Sequence, residues 1–219
     1  MADIVFLVDS SSSIGIPNFR EIRLFLRNVI SGLNIGSDKV RVGLAQYSDE
    51  PYQEFLLKDY LDTQSLLAQV DRLQYRTGNT FTGKAINFLR SRYFTQDAGS
   101  RASQRVPQIA MIITDGKSND DVLVPAQELR QQGVIVFGIA VGRASLQELK
   151  SIVTQPSEFF LTAIDNYQAL QTLTDNLLGT VCSSVVDQRQ GEAKGSSGTS
   201  QKFGYMCSFR NNLQVCPNV

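Results

Sequence analysis

The chain has 219 residues, equal numbers of acidic and basic side chains (21 of each) and no histidine. The balanced charge argues against a nucleic-acid or anionic-lipid partner, and no apolar run is long enough for membrane insertion as a helix. Without histidine there can be no Ser-His-Asp triad, histidine general base or His-ligated zinc. Any metal must be held by oxygen atoms or by cysteine sulfur, and oxygen ligands suit hard cations.

The three cysteines, Cys182, Cys207 and Cys216, all lie in the last fifth of the chain. None of them forms a C-x-x-C pair, which argues against a zinc ribbon or a redox motif. Clustering of this kind is typical of disulfides in a secreted protein. Met1 and Ala2 lead directly into strand residues, so we expect the chain to be a fragment of a longer protein.

Strands and helices alternate along most of the chain, as judged from apolar runs, two-residue alternation and helical spacing of apolar residues. In chain order, the predicted elements are a strand at 3–9, a helix that Pro17 opens and that runs to Leu33, strands at 40–47 and 53–57, helices at 63–73 and 82–93, a strand at 107–114, a helix at 122–132, a strand at 134–141, a helix at 146–153, a strand at 158–161 and a helix at 166–178.

This order predicts an α/β fold, with a doubly wound, mostly parallel six-stranded sheet that carries helices on both faces. The turn after residue 47 predicts a hairpin and therefore one antiparallel edge strand. Gly, Ser and charged residues dominate from 188 to 201, which is typical of a linker. We therefore assign 1–182 to the domain, 183–201 to a flexible linker and 202–219 to a short Cys-containing tail of unknown role.

Three oxygen-rich loops lie where the carboxyl ends of the predicted strands meet, which is where open parallel sheets bind ligands. Asp9, Ser11 and Ser13 follow the first strand, and their side chains converge if the segment is extended. Asp115 follows the strand at 107–114, and Thr80 lies in a loop before a helix. Together they offer five oxygen donors, close to the about six that a hard octahedral cation needs. The sequence therefore predicts a divalent-cation site.

Plainer interpretations of the same loops stay open. Ser12 or Ser13 could cap the helix that opens near Pro17, and Asp115-Gly116 could be only a turn. The convergence of three such loops at matching strand ends favours the cation site.

Other side chains also have a structural and a functional interpretation. Phe81 either contacts a partner beside the cation or packs under its loop. A loose basic stretch is most simply a solvated face, with an acidic-partner site as the alternative; its members are Arg90, Arg92, Arg101 and Arg105. Aromatic residues in apolar segments are expected in the core; they are Phe19, Phe25, Phe137, Phe159 and Phe160.

The cation-site motifs resemble those of von Willebrand factor A domains. Asp-x-Ser-x-Ser at Asp9–Ser13, Thr80 within GNTFTG and Asp115 within IITDGKS are similar to the metal-ion-dependent adhesion site of that family. The segments VRVGLAQYSD and VIVFGIAVG are also similar, so the resemblance covers roughly residues 3–181. Within this family, the motif sequences most resemble those of the A domains of collagens (type VI and fibril-associated) and of matrilins.

The resemblance implies a role for each donor. Ser11, Ser13 and Thr80 would contact Mg²⁺ (or Mn²⁺ or Ca²⁺) directly, and Asp9 and Asp115 would act largely through water. An acidic residue of an extracellular matrix protein or a cell-surface receptor would complete the coordination. The resemblance also implies that the protein is secreted and located in the extracellular matrix.

The family often closes its domain with a disulfide between cysteines that flank its two ends. Cys182 stands where the distal cysteine would be, and its pairing with a cysteine outside the sequence, with Cys207 or with Cys216 stays open.

No enzyme signature stands after the first strand. The segment from Asp9 to Gly15 lacks both G-x-G-x-x-G and the P-loop pattern, and Ser11 stands where an aspartyl phosphotransferase would carry a second aspartate. We therefore expect a non-enzymatic matrix-binding or assembly module. The alternative is a structural spacer of a matrix protein whose cation site contacts no ligand.

Overall fold

The computed structural model describes residues 1–174 and the backbone of two short strands, Ser208–Arg210 and Leu213–Val215, which pair antiparallel. The predicted linker at 183–201, most of the predicted tail and all three cysteines lie outside the described residues. The predicted last helix is described only as far as residue 174.

Six strands and five α-helices form the main body of the described chain. The strands are β1 (Ala2–Asp9), β2 (Val40–Tyr47), β3 (Pro51–Phe55), β4 (Gln108–Thr114), β5 (Val134–Val141) and β6 (Leu161–Ile164). The helices are α1 (Gly15–Gly32), α2 (Thr63–Arg72), α3 (Thr82–Arg92), α4 (Leu123–Gln131) and α5 (Leu146–Ile152). A 3-10 turn at Tyr167–Ala169 begins a last helical segment that continues to residue 174. No helix among the described residues is both long and apolar enough to cross a bilayer.

The strands form one sheet in the order β3-β2-β1-β4-β5-β6. All pairs are parallel except β2 with β3, which form the predicted antiparallel edge. Every residue of β1, β4 and β5 is buried, which explains why these strands are continuous apolar runs in the sequence. The doubly wound, mostly parallel fold is confirmed.

Two apolar layers cover the sheet. Alternate residues of β1 enter opposite layers, with Phe6 in the layer of α1 and α2 and Leu7 in the layer of α3, α4 and α5. Phe25 of α1 and Leu89 of α3 lie within these two layers, both fully buried. Helices therefore pack on both faces, and the loops at the ends of the strands lie outside these two layers.

The predicted strand at 158–161 was wrong. Ser157–Phe159 forms a 3-10 turn, and the strand begins at Leu161, where it pairs with Gly138 of β5. Phe159, expected in the core, is 65% exposed. Two adjacent phenylalanines favour a buried strand locally, but the register against β5 decides which residues of this edge strand pair.

The predicted third strand was shifted by two residues. It was expected at 53–57, but β3 is Pro51–Phe55, because a tight turn places Tyr47 directly opposite Pro51. Leu57 is nevertheless fully buried, in the loop that follows the strand. The apolar character of Leu57 reflects its burial, and it therefore does not mark the end of the strand.

The loose basic stretch is divided by the fold. Arg101 is 4% exposed and pairs with the fully buried Asp3 at the amino end of β1, with an Nη2–Oδ1 distance of 2.6 Å. Arg90 pairs with Glu128 of α4, at 3.1 Å. These arginines do not share one solvated face, so the acidic-partner interpretation loses its basis.

Candidate metal centre

Asp9 closes β1 and is fully buried. Its two carboxylate oxygens accept hydrogen bonds from the amide of Ser11 (2.8 Å) and from Oγ1 of Thr114 (2.7 Å), the last residue of the neighbouring strand β4. Because β1 and β4 are adjacent and parallel, their carboxyl ends meet at one edge of the sheet. The loops that follow them are thereby held side by side.

The hydroxyls of the first loop continue this network. The Oγ atoms of Ser11 and Ser13 lie 3.1 Å apart, and Ser13 Oγ donates to Oδ1 of Asp115 over 2.8 Å. The segment is not extended, because a turn closes with a hydrogen bond from the amide of Ile14 to the carbonyl of Ser11. The predicted convergence of Asp9, Ser11 and Ser13 is therefore real, but the turn produces it.

Neither Ser12 nor Ser13 caps helix α1. The capping position is occupied by Ile14, without any side-chain cap. Ser12 Oγ instead accepts from the amide of Gly78 (2.9 Å), and the Ser12 amide donates to the carbonyl of Gly78 (2.8 Å). The first loop is thus joined to the loop that carries Thr80.

Thr80 lies beside the Asp115 loop. A β-carbon on Gly116 would come within 3.3 Å of Thr80 Oγ1, and the carbonyl of Thr80 accepts from the amide of Asn119 (2.7 Å). Thr80 is 8% exposed. The structure therefore brings all five predicted donors, from three loops, to the same sheet edge.

Two tyrosines that the motifs did not indicate also hold these loops. The hydroxyl of Tyr75 donates to the carbonyl of Ser11 (2.7 Å) and accepts from the amide of Gly15 (3.0 Å). The carbonyl of Tyr47, at the end of β2, accepts from the amide (2.8 Å) and the hydroxyl (3.1 Å) of Ser10. In the sequence, the only indication that either tyrosine supports these loops is the position of Tyr47 at the end of a predicted strand.

The neighbouring aspartates have turn roles. Asp120 accepts hydrogen bonds from the amides of Gly83 and Lys84, the start of α3, at 2.9 and 2.7 Å. Asp49 accepts from the amide (3.2 Å) and side-chain nitrogen (2.7 Å) of Asn79. These contacts tie the β2–β3 turn and the Asp115 loop to the loop that carries Thr80.

Apolar side chains are exposed around this edge. Ile16 lies in the first turn of α1, Leu123 and Val124 begin α4, and Leu146 begins α5; they are between 45% and 59% exposed. Each of these helices follows the carboxyl end of a strand. Phe81, before α3, is partly buried. The edge therefore offers apolar surface next to a polar centre.

The Asp9 carboxyl is electrostatically unusual. Burial is the main cause that raises its pKa to about 6, and the charge of Asp115 adds to this, although hydrogen bonds from Ser11 and Thr114 oppose it. A buried carboxylate that water cannot reach is stabilised by a nearby positive charge. The site therefore favours either a proton or a cation.

The donor set fits a hard divalent cation. Three hydroxyls (Ser11, Ser13 and Thr80) and two carboxylates (Asp9 and Asp115) supply oxygen only, as magnesium and manganese prefer. Within the described residues there is no group of three or more Asp, Glu, His or Cys side chains that could hold a metal. A cation here would thus be held by a mainly neutral shell, unlike a carboxylate-rich calcium cage.

Comparison with known proteins decides the family. The model of the von Willebrand factor type A domain matches residues 3–176. The chain belongs to this family. The von Willebrand factor A fold therefore accounts for the whole sheet and for the three loops at its carboxyl edge.

The relatives of this A domain include collagens and a matrilin. It is 42% identical to the collagen alpha-4(VI) chain of Mus musculus over 97% of its length, and 37% identical to the collagen alpha-1(XII) chain of Notophthalmus viridescens over 84%. It is 33% identical to matrilin-1 of Gallus gallus over 82%. The chain spans 10%, 20% and 37% of these three proteins respectively. The resemblance to collagen and matrilin A domains is confirmed.

Solved structures show the same fold. Proximal thread matrix protein 1 from the mussel byssus, with a zinc-occupied MIDAS motif, matches with a TM-score of 0.78 and 23% identity over 83% of this chain and 48% of the other. The manganese-loaded TRAP protein of Plasmodium vivax matches with a TM-score of 0.64 and 22% identity over 79% of this chain and 72% of the other.

Proposed function

We propose that this A domain is a non-enzymatic binding or assembly module of the secreted extracellular matrix. In this proposal a divalent cation, Mg²⁺ or Mn²⁺, is held by Ser11, Ser13 and Thr80 directly and by Asp9 and Asp115 mainly through water. A carboxylate from a matrix protein or cell-surface receptor completes the coordination. The domain comprises residues 1–182, followed by a linker at 183–201 and a tail at 202–219.

The observation that carries the proposal is the meeting of five oxygen donors from three loops at one sheet edge. The Ser11–Ser13 and Ser13–Asp115 hydrogen bonds, 3.1 and 2.8 Å long, support the proposal, because oxygen atoms this close together can share one small ion. When bound, the cation supplies an electrophilic position that a partner's carboxylate can occupy. Metal-occupied sites in two structural neighbours, and collagen and matrilin relatives, support the same role.

The surrounding surface also suits a protein partner. The exposed apolar residues Ile16, Leu123, Val124 and Leu146 lie in helix turns that begin at the edge carrying the centre. Interfaces commonly combine buried apolar contacts with a few precisely placed polar ones. A partner segment with an acidic residue between apolar residues would match this arrangement.

One observation favours the structural-spacer alternative. Ser13 and Asp115 satisfy each other through a direct hydrogen bond, and Ser12 and Gly78 are joined by two more. The loops can therefore be held together by the protein's own hydrogen bonds. A spacer would keep its stability and its contacts after chelation, whereas the proposed module would lose its binding.

The test is calorimetric titration of chelator-stripped protein with MgCl₂. Thr80→Val removes one hydroxyl at nearly constant volume, and Asp115→Asn removes one charge. The matched controls are Thr162→Val on the exposed edge strand β6, two strands away from β4, and Asp97→Asn in an exposed turn; neither residue belongs to the three loops that carry the proposed donors.

We expect one-to-one Mg²⁺ binding that Thr80→Val and Asp115→Asn each weaken at least tenfold and that the controls leave unchanged. Absence of binding in the unaltered protein would leave the spacer as the better account.

A further inference from the structure

Tyr167 begins the last described helical segment, directly after β6 reaches the edge that carries the candidate centre. The residue is 4% exposed and packs in the same core layer as α1. Its hydroxyl makes no well-formed hydrogen bond to any residue that the structure describes, although it lies near enough to the Asp115 carboxylate to interact with it. A buried hydroxyl without a well-formed hydrogen bond destabilises the fold, and phenylalanine would fill the same apolar volume without this cost. The hydroxyl therefore needs an explanation beyond core packing.

The surroundings of the phenol point toward the centre. Burial, followed by the negative charges of Asp115 and Asp9, raises the pKa of Tyr167 above its usual value. A hydrogen-bond interaction with the Asp115 side chain contributes to the same shift, so the phenol lies beside that carboxylate. The raised pKa keeps the hydroxyl protonated, so it faces acceptors as a hydrogen-bond donor.

The backbone around Tyr167 is firmly held. The side chain of Asn166 accepts from the amide of Ala169 (3.1 Å), which caps the turn. Gln171 donates to the carbonyl of Glu21 (3.1 Å) and accepts from Asn28 (2.8 Å), both on α1. The phenol is thus presented from a rigid support, as a residue that orients a ligand group must be.

We propose that Tyr167 is a positioning residue of the cation site, whose hydroxyl donates a hydrogen bond to the Asp115 carboxylate when a divalent cation is bound. Asp115 accepts from Ser13 on one oxygen, and a carboxylate has acceptor sites for further donors. A cation that draws Asp115 into its shell makes that carboxylate a fixed acceptor. The inference rests on the proposed function, because it needs the cation to bind at Asp9, Ser11, Ser13, Thr80 and Asp115.

The experiment compares Tyr167→Phe with the unaltered protein in EDTA and in MgCl₂, by calorimetric titration and by thermal unfolding. Loss of such an outer hydrogen bond typically weakens metal affinity 10- to 100-fold, so we expect a Mg²⁺ Kd at least about tenfold higher. In EDTA we expect Tyr167→Phe to be at least as stable as the unaltered protein, because the hydroxyl makes no well-formed hydrogen bond there.

Tyr93→Phe is the matched control. Tyr93 is also buried, but it lies in the opposite core layer, and its hydroxyl donates to the carbonyl of Leu44. We expect this change to lower stability equally in EDTA and in MgCl₂ and to leave the Mg²⁺ Kd unchanged.

Three outcomes would overturn the inference, and they differ in what they say about the cation. An unchanged Mg²⁺ Kd in Tyr167→Phe would overturn it and leave the proposed function standing. Lower stability of Tyr167→Phe in EDTA would show that the hydroxyl already has a structural partner. Failure of the unaltered protein to bind Mg²⁺ would overturn both proposals.

Discussion

The hydroxyl of Ser13 donates a hydrogen bond of 2.8 Å to Oδ1 of Asp115, although 102 positions separate the two residues. The bond joins the loops that follow the neighbouring parallel strands β1 and β4. Both atoms are also predicted to serve a bound cation, directly for Ser13 and mainly through water for Asp115. The same pair can therefore stabilise the loops without an ion and contribute to its binding.

The coupling between Ser13 and Asp115 is expected to depend on the cation. In EDTA, a double-mutant cycle with Ser13→Ala and Asp115→Asn should give a coupling free energy of less than about 1 kcal/mol, because the hydrogen bond is exposed to solvent. In saturating MgCl₂ the coupling should be larger, because both residues then act on one ion. Urea unfolding measures the coupling. In the control cycle Ser91→Ala replaces Ser13→Ala, because Ser91 is exposed and its hydroxyl is bonded within α3. Equal coupling in the two conditions would contradict a shared ion.

In the absence of a cation, protonation of Asp9 at low pH is expected to raise the free energy of unfolding of the domain. The folded-state pKa of about 6 exceeds the ordinary 3.8, so the folded state holds more protons between these values than the unfolded state does. Stability from this group is therefore present at low pH and is lost as pH rises through about 6, by roughly 3 kcal/mol at most.

The measurement is the unfolding free energy in EDTA between pH 4 and 7.5, compared with Asp9→Asn. The difference between the two proteins isolates Asp9 from the other carboxyls, and it should change in this window. Mg²⁺ affinity should rise over the same window, because the cation replaces a proton. A pH-independent difference would contradict the raised pKa.

Removal of the buried Arg101 guanidinium is expected to destabilise the fold without affecting cation binding. Arg101 donates from Nη2 to Asp3 (2.6 Å) and to the carbonyl of Lys39 (2.8 Å), at the amino end of the strands. Arg101→Met leaves the buried Asp3 carboxylate without its ion-pair partner, although Gln108 still donates to it, and should cost about 3–5 kcal/mol. Denaturant unfolding measures this cost.

The exposed Arg92→Met is the control and should change stability by less than about 0.5 kcal/mol. Because the ion pair lies at the opposite edge from the centre, the Mg²⁺ Kd of folded Arg101→Met should match that of the unaltered protein. A weakened Kd would show that the two edges are coupled.

A methyl group at Gly83 is expected to weaken cation binding, although Gly83 is not one of the proposed donors. A β-carbon there would lie 1.9 Å from the carbonyl oxygen of Asp121, and the Gly83 amide is bonded to Asp120 (2.9 Å). Gly83→Ala must therefore displace the loop that carries Asp115, and the Mg²⁺ Kd should rise at least about tenfold. Gly36→Ala, whose β-carbon would meet only the flexible side chain of Lys39, should bind Mg²⁺ normally. Equal titrations of the two variants would contradict this account.

Local patterns were sufficient for most of the fold. Buried strands read as apolar runs and helices as amphipathic segments, because each pattern depends on neighbours in the sequence. The errors fell at the edge strands. β6 begins at Leu161 and β3 at Pro51 because pairing with β5 and β2 selects the register, and no local pattern records that choice.

The candidate site was divided in the same way. The five candidate donors were predicted from their residue types and from their loops, two after strands and one before a helix, and the structure brings these loops to one edge. The supporting role of Tyr75 was missed, because this residue looks like an ordinary aromatic residue of a loop. Its role depends on which backbone groups its hydroxyl faces, which only the folded chain defines.

The amino-acid sequence by itself determined the class of fold and the exclusion of histidine chemistry, and it predicted five candidate oxygen donors, because each depends on residue type and short-range order. The tertiary structure decided how Ser11 and Ser13 converge, which arginine is buried with Asp3, and why the Asp9 carboxyl has a raised pKa. Hydrogen-bond geometry, ion pairing and desolvation arise between segments that are distant in the chain, so they appear only when the sheet brings those segments together.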